Sequence, residues 1–371
     1  MITRDLLTEI QKVKGKGKAI IVIGPRQVGK TTLIKSILSD KEFLFLNGDD
    51  KTIVEALRGA GEFQIKRIVG NYTNVFVDEA QKIENIGNIL KIITDLMPQV
   101  QLYVSGSSSL EINQAMQESL TGRKFEFEMF PISWSEFERN VGYLSAENQL
   151  EHRIIFGMYP DVINQPEMEL QVLQNLTKSY LYQDILALTG IRKPEILDRL
   201  LVALALQMGS EVSYNELAQL LQIDKGTVLK YIDLLEKSYI VFTLQSFSRN
   251  LRNEIKNNRK VYFYDNGIRN AILNNFNPLE IRQDKGALWE NFLLAERVKR
   301  NMYGGHYCRS YFWRTQTQQE IDYIEDFGGA IHSFEFKWKN TKRVHFPLKF
   351  METYQSTPVV IDRNNFRDFV G

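Results

Sequence analysis

The stretch Gly24, Pro25, Arg26, Gln27, Val28, Gly29, Lys30, Thr31 puts four residues between two glycines and ends in a lysine and a hydroxyl. That spacing suits a polyphosphate. Glycines let backbone N–H groups converge on phosphate oxygens, and a helix start adds favourable partial charge. Lys30 is placed to reach the β and γ phosphates, and Thr31, followed by Thr32, to ligate Mg²⁺. A second acidic element, Asp78-Glu79, closes the apolar run of NVFVDEAQKI. There Asp78 would hold the water shell of the metal, and Glu79 would orient and deprotonate an attacking water. Ser105 and Ser107, at the end of QLYVSGSSS, are candidates for touching the γ phosphate, with an ordinary Ser-Gly-Ser turn as the alternative. Arg123 is a candidate for stabilising charge on the transferring phosphoryl group, in cis or from a neighbouring subunit, and an ordinary surface arginine is the alternative.

Two other groups of residues could do chemistry. In SYNELAQLLQIDKGTVLKYIDLLEKSYIV, Leu217, Leu220 and Leu221 mark one helix and Val228, Leu229, Ile232 and Leu235 the next, the outline of a helix-turn-helix. The second helix would offer Lys225, Thr227, Lys230 and Tyr231 to phosphates and base edges. A basic ribbon follows, with Arg249, Arg252, Lys256, Arg259 and Lys260. DNA is the expected partner, because such charges release counterions from a phosphate backbone, and a protein-contact surface is the alternative. Near the C-terminus, Asp322 and the Glu335-x-Lys337 pair fall on adjacent strand-like runs, with Glu290 on a helical segment before them. Two or three carboxylates can bind a hard cation while a lysine stabilises charge on an attacked phosphodiester. A half-solvated sheet with alternating charge would give the same pattern.

The elements that must position these residues read as follows. Apolar runs at Ala19–Ile23, Phe43–Leu46, Val75–Val77, Leu102–Val104 and Phe125–Met129 alternate with helical patterns, predicting a five-stranded, largely parallel α/β sheet. Ile86, Ile89, Leu90, Ile93, Leu96 and Met97 keep helical spacing and are expected to cover one face of it. Helical patterns dominate from Trp134 to Gly209, and the polar stretch 274–286 reads as a linker. The expected domains are a P-loop core at 1–140, a helical subdomain at 141–209, a winged-helix domain at 210–273 and a mixed α/β domain at 274–371.

Composition sets the bounds. A chain of 371 residues, 43% hydrophobic and 25% charged, fits several ordinary globular cores and excludes a disordered or fibrous class. Apolar runs stay far short of the roughly 18 residues that span a bilayer. The only cysteine, Cys308, excludes an internal disulfide, and the first residues lack a secretory pattern, so a cytoplasmic location is expected. With a net charge of +1, affinity for nucleic acid must come from a local patch.

The segments GPRQVGKTT, VFVDEAQKI, YVSGSSS, LTGRKFEFEMFPISWSEF and GMYPDVI resemble, in order and spacing, a prokaryotic family of AAA-like P-loop ATPases that carry the C-terminal domain of unknown function 4143. The resemblance runs from about Lys18 to Trp338. It implies an AAA-like core, a winged-helix segment and a nuclease-like C-terminal fold. Asp322, Glu335, Lys337 and Glu290 are similar to the PD-(D/E)xK nuclease core, although Ile321 stands where that core often has proline. The leading expectation is an ATPase using ATP and Mg²⁺ whose nucleotide state controls how the winged-helix and C-terminal domains engage DNA. The alternatives are a slow nucleotide-gated switch that binds DNA or a protein, and an ATP-licensed metal-dependent nuclease. A second copy of the chain is a further candidate partner, and no membrane is expected.

Overall fold

The computed structural model describes residues 2–106, 119–181, 194–247, 259–315, 317, 319–339 and 346–371. They fall into two compact units, one running up to Ile132 and the other starting at Ser133.

The first unit is an α/β layer structure. Strands β1 (Ala19–Ile23), β2 (Leu44–Asn47), β3 (Asn74–Asp78), β4 (Gln101–Gly106) and β5 (Lys124–Glu128) form one sheet in the order β2-β3-β4-β1-β5. All four pairings are parallel, with Ile21 opposite both Val104 and Glu126, and Val77 between Leu46 and Val104. Every residue of β1 and β3 is buried, as helices on both faces require of a parallel sheet. The five expected strands are all present, shifted at their ends by at most a few residues. The helix Ile86–Leu96 buries Ile86, Ile89, Leu90 and Ile93 as its period predicts. Leu96, expected on the same face, is exposed, because the buried stripe continues through Met97 after the helix ends. In a sheet of this kind the loops after the carboxyl ends of the strands form the functional edge.

The second unit opens on the helix Trp134–Val141, whose start is fixed by a reciprocal cap. The Ser133 hydroxyl accepts from the Glu136 amide, and the Glu136 carboxylate accepts from the Ser133 amide. Helices Tyr143–Phe156, Pro160–Asn164, Glu169–Asn175 and Pro194–Leu206 follow, in the region expected to be helical. The helices Tyr214–Leu221 and Lys225–Lys237 come next, the second capped by Asp224, which accepts from the Thr227 amide.

Seven strands make the sheet of this unit: β6 (Glu211–Val212), β7 (Val241–Ser246), β8 (Arg259–Phe263), β9 (Arg309–Arg314), β10 (Glu320–Phe327), β11 (Ala330–Phe336) and β12 (Thr357–Ile361). Their order is β12-β11-β10-β9-β7-β8-β6. The sheet therefore crosses the boundary expected at 273/274. Parallel pairing of β7 with β9, Gln245 opposite Tyr311 and Ser246 opposite Phe312, joins the two parts. The helix Lys285–Tyr303 adds a second tie. Asn291, fully buried on that helix, accepts from the Phe263 amide at 2.7 Å and donates to the Phe263 carbonyl at 2.9 Å.

The stretch 274–286, expected as a linker, is bolted in place. Asp284 accepts from Arg282 at 2.8 Å and from Arg269 at 2.5 Å, and both guanidinium groups are buried. Burial alone would raise the Asp284 carboxyl, but the hydrogen bonds from Arg282 and Arg269 outweigh it and hold it at about 2. A carboxylate depressed in the folded state adds stability above its unfolded value near 4 and loses it as pH falls toward 2. Asp284→Asn, which strands two buried cations beside a partly solvated site, is expected to cost about 2 kcal/mol at pH 7. Thermal melts should show the gap between wild type and variant closing between pH 4 and pH 2.

Candidate functional site

The loop between β1 and the helix Lys30–Ile37 is shaped by three residues with left-handed backbone: Gly24 at φ 147°, Gln27 at φ 59° and Gly29 at φ 98°. Glycine at 24 is forced by contact as well, since a Cβ there would lie 2.1 Å from the Met129 carbonyl oxygen. Pro25 and Val28 are buried, Arg26 and Gln27 are half-buried, and Thr32 is exposed. The Lys30 ammonium, 5% exposed, donates to the carbonyls of Gly24 at 2.9 Å and Pro25 at 2.6 Å, curling over the loop.

Three polar groups meet at the next step. The Thr31 hydroxyl donates to both Asp78 carboxylate oxygens, at 2.9 and 3.0 Å, and the Ser105 hydroxyl also donates to Asp78. Asp78 is 7% exposed and Ser105 1%. Ser105, expected at the γ phosphate, thus holds the Asp78 carboxylate instead, and Ser107 lies outside the described residues. A hard cation favours oxygen donors of this kind, so the Thr31 hydroxyl and the Asp78 carboxylate fit Mg²⁺.

Glu79 follows Asp78 with a left-handed backbone, φ 49° and ψ 45°, which costs a non-glycine residue about 1 kcal/mol. Gly48, after β2, is packed so closely that a Cβ there would come within 2.4 Å of the Glu79 carbonyl oxygen, and its amide donates to Asp78 at 2.9 Å. The Gln81 amide donates to the Glu79 carboxylate at 2.7 Å. Backbone and side chain of Glu79 are thus both held.

Arg4 escapes a reading of the sequence. Its guanidinium, 7% exposed, donates to the Val28 carbonyl inside the loop at 2.7 Å and to the Phe130 carbonyl at 2.6 Å. The helix Leu6–Val13, with Leu6 and Ile10 buried, docks the segment that carries it. A lone arginine ahead of a short amphipathic helix gives no sign of a partner 24 residues away. Arg4→Ala is expected to weaken ATP binding about tenfold, in line with the 1 to 2 kcal/mol of a charge-assisted bond. Equilibrium titration with labelled nucleotide measures it.

Arg123 requires a correction. Its carbonyl accepts from the Ala19 amide, which places it at the amino end of β1, about 13 Å along the strand from the loop. Its guanidinium pairs with Asp95 at 2.5 Å. A role in cis is therefore closed by the direction of the parallel strands, since the phosphate loop leaves from their carboxyl ends.

On the helix Lys225–Lys237, Lys225 and Lys230 are exposed, and Thr227 is drawn into the Asp224 cap by backbone and hydroxyl. Tyr231, expected to face outward, is 9% exposed. It lies three residues after Val228 and four before Leu235, within the apolar stripe of its own helix. Arg249 and Arg252 lie outside the described residues.

Asp322 lies within electrostatic reach of Glu290, Glu335 and Lys337. Burial, with the charges of Asp322 and Glu320, pushes Glu290 up to about 7 against the pull of Lys260. Burial also raises Asp322 and Glu335. Glu335 pairs with Lys337 at 2.7 Å, and Asp322 accepts from the Phe336 amide at 2.8 Å. Lys260 belongs to the same cluster, at 2.5 Å from Glu320 and 3.4 Å from Glu290, a partnership across 30 residues or more that sequence reading missed.

Comparison with known proteins supports the P-loop ATPase core. Residues 16–138 match the model of the AAA domain, residues 147–279 a domain of unknown function (DUF8612), and residues 285–368 a domain of unknown function (DUF4143). An uncharacterised protein of Mycobacterium tuberculosis is 27% identical over 351 residues, a match covering 92% of this chain and 75% of that protein. An uncharacterised protein of Methanocaldococcus jannaschii is 24% identical over 350 residues, covering 87% and 75%. Among solved structures, the Walker-type ATPase of Pyrococcus abyssi shares the fold, with a TM-score of 0.50 and 14% identity over 74% of this chain and 96% of that one. No described helix is long and apolar enough to cross a membrane.

Proposed function

We propose, from the premise that this chain is a AAA-type P-loop protein with a C-terminal DUF4143 domain, that it is a Mg²⁺-dependent ATPase whose nucleotide state controls engagement of DNA by the second unit. The observation that carries the hydrolytic reading is Glu79, fixed by Gly48 and Gln81 beside the Thr31–Asp78 pair. Backbone amides of residues 26–31 bind the phosphates, and Lys30 exchanges two loop carbonyls for phosphate oxygens. Thr31 and Asp78 would hold Mg²⁺, with Ser105 keeping the Asp78 carboxylate aimed. When bound, Mg²⁺ supplies charge neutralisation at the β and γ phosphates. Glu79 takes the proton of the attacking water, and Gln81 keeps one of its carboxylate oxygens in place.

Exposed Lys225 and Lys230 support the DNA reading through phosphate contacts, without the base-edge contact that Tyr231 would have offered. ATP turnover by the pure protein, with and without duplex DNA, is the test. A rate above the roughly 10⁻⁴ to 10⁻³ s⁻¹ of unassisted P-loop GTPases, raised by DNA and lost in Lys30→Ala, is expected. Equal rates for wild type and Lys30→Ala would refute hydrolysis at this site. A slow rate indifferent to DNA would leave the nucleotide-gated switch as the better reading.

A further inference from the structure

We infer that the Lys260 ammonium holds the place of a cation in the carboxylate cluster of the second unit, so that this cluster is an internal ionic seam and not a metal-dependent phosphodiesterase centre. The inference concerns a different site from the phosphate loop and does not rest on the ATPase reading.

Each of the four acids already has a partner, although for Glu290, Asp322 and Glu335 the contacts fall on one oxygen each. Glu290 accepts from the Tyr262 hydroxyl at 2.5 Å and faces Lys260 at 3.4 Å. Glu320 faces Lys260 at 2.5 Å and Arg314 at 3.7 Å. Asp322 takes the Phe336 amide, and Glu335 takes Lys337. Among the described residues, no three His, Cys, Asp or Glu side chains converge so as to hold a metal ion.

Charge gives the same answer. Fully ionised, Glu290, Glu320, Asp322 and Glu335 would carry four negative charges against the three positive ones of Lys260, Lys337 and Arg314, and burial, which pushes Glu290 up to about 7, lowers the negative count. A divalent ion would have to enter beside an ammonium that is 2% exposed and cannot withdraw to water. Lys260 is also partnered on several sides. It has two carboxylate partners, and its ammonium lies 5.4 Å from the centre of the Phe312 ring.

The place of Lys260 in the fold explains what the seam does. It sits on β8, opposite Leu244 of β7 and Glu211 of β6. Its partners come from the helix Lys285–Tyr303 and from β10. One buried ammonium thus ties the strands beside the helix-turn-helix to the C-terminal strands and helix. Residues that resemble a nuclease centre are used here as a cross-link.

The test measures Mn²⁺ binding to the full chain without nucleotide, in an Asp78→Asn background that silences the phosphate-loop site. With Lys260 present, no stoichiometric binding is expected at 1 mM Mn²⁺, about the upper end of ordinary affinities for a loose divalent site. Supercoiled DNA should stay intact with Mg²⁺ or Mn²⁺. Lys260→Met should gain at least about tenfold in Mn²⁺ affinity, or 1.4 kcal/mol, and a further Asp322→Asn change should remove the gain. Stoichiometric Mn²⁺ binding with Lys260 in place that is lost in Asp322→Asn would overturn the inference, as would DNA cleavage lost in Lys337→Ala. A folded Lys260→Met chain that gains no affinity would overturn it too. Should that variant fail to fold, the two measurements with Lys260 in place decide alone.

Discussion

Glu79→Gln is expected to lower ATP turnover by about 10²- to 10⁴-fold, the range that removal of a positioned general base produces. Nucleotide affinity should stay within about twofold, because a carboxamide of the same shape removes proton acceptance and leaves phosphate contacts untouched. The structure makes this separation sharp. Asp78, Thr31 and Ser105 form one hydrogen-bonded group, and Glu79 belongs to another, with Gln81. Thr31 and Asp78 of the first group would hold the cation, and Glu79 of the second would act on water. Single-turnover kinetics beside a binding titration distinguish the two. A variant with wild-type turnover would remove Glu79 from the mechanism, whereas one that no longer binds ATP would show that its carboxylate shapes the pocket itself.

Gly24→Ala should destabilise the first unit by about 3 kcal/mol, at the upper end of overpacking costs, and abolish ATP binding. The added Cβ would meet the Met129 carbonyl oxygen at 2.1 Å, and that oxygen belongs to backbone that cannot yield like a flexible side chain. Met129 also donates its amide to Ile23 at 2.8 Å, so any shift away from position 24 breaks a hydrogen bond beside β1 and β5. Gly29→Ala is the instructive comparison. At that position the nearest atoms to a Cβ are the Met129 methyl at 3.6 Å and an Arg4 nitrogen at 3.9 Å, leaving backbone strain at φ 98° as the main cost. Chemical denaturation of both variants should rank Gly24→Ala as the more damaging. The reverse order would mean that contact with Met129 is relieved cheaply.

The strands of the first unit were legible because each is a short apolar run closed by a polar or glycine-rich turn, and the loop at Gly24 to Thr31 because its chemistry is local. Asp78 and Glu79 follow from one strand end. Partners distant in sequence were not legible. Arg4 reaches Val28 and Phe130, Ser105 reaches Asp78, and Lys260 reaches Glu320, each through a sheet whose order no local pattern announces. For Arg123, charge alone says nothing of position, and the direction of β1 and β5 sets it at the edge opposite the loop, which closes only a role in cis. Tyr231 is ambiguous for a different reason: a tyrosine suits both a wet face and an apolar stripe, and its spacing from Val228 favours the stripe. The boundary expected at 273/274 rests on polarity, and Arg269, Arg282 and Asp284 use that polarity to pin the segment.

The pairing of β7 with β9 bears on how the molecule can be dissected. A fragment cut after the residues that precede the DUF4143 match would leave β7 with one unsatisfied row of amides and carbonyls, the sort of bare border that recruits strangers into aggregates. The piece beginning at that match would lose the neighbour of β9 in turn. Any dissection of the second unit should therefore keep β7 and β9 in one piece.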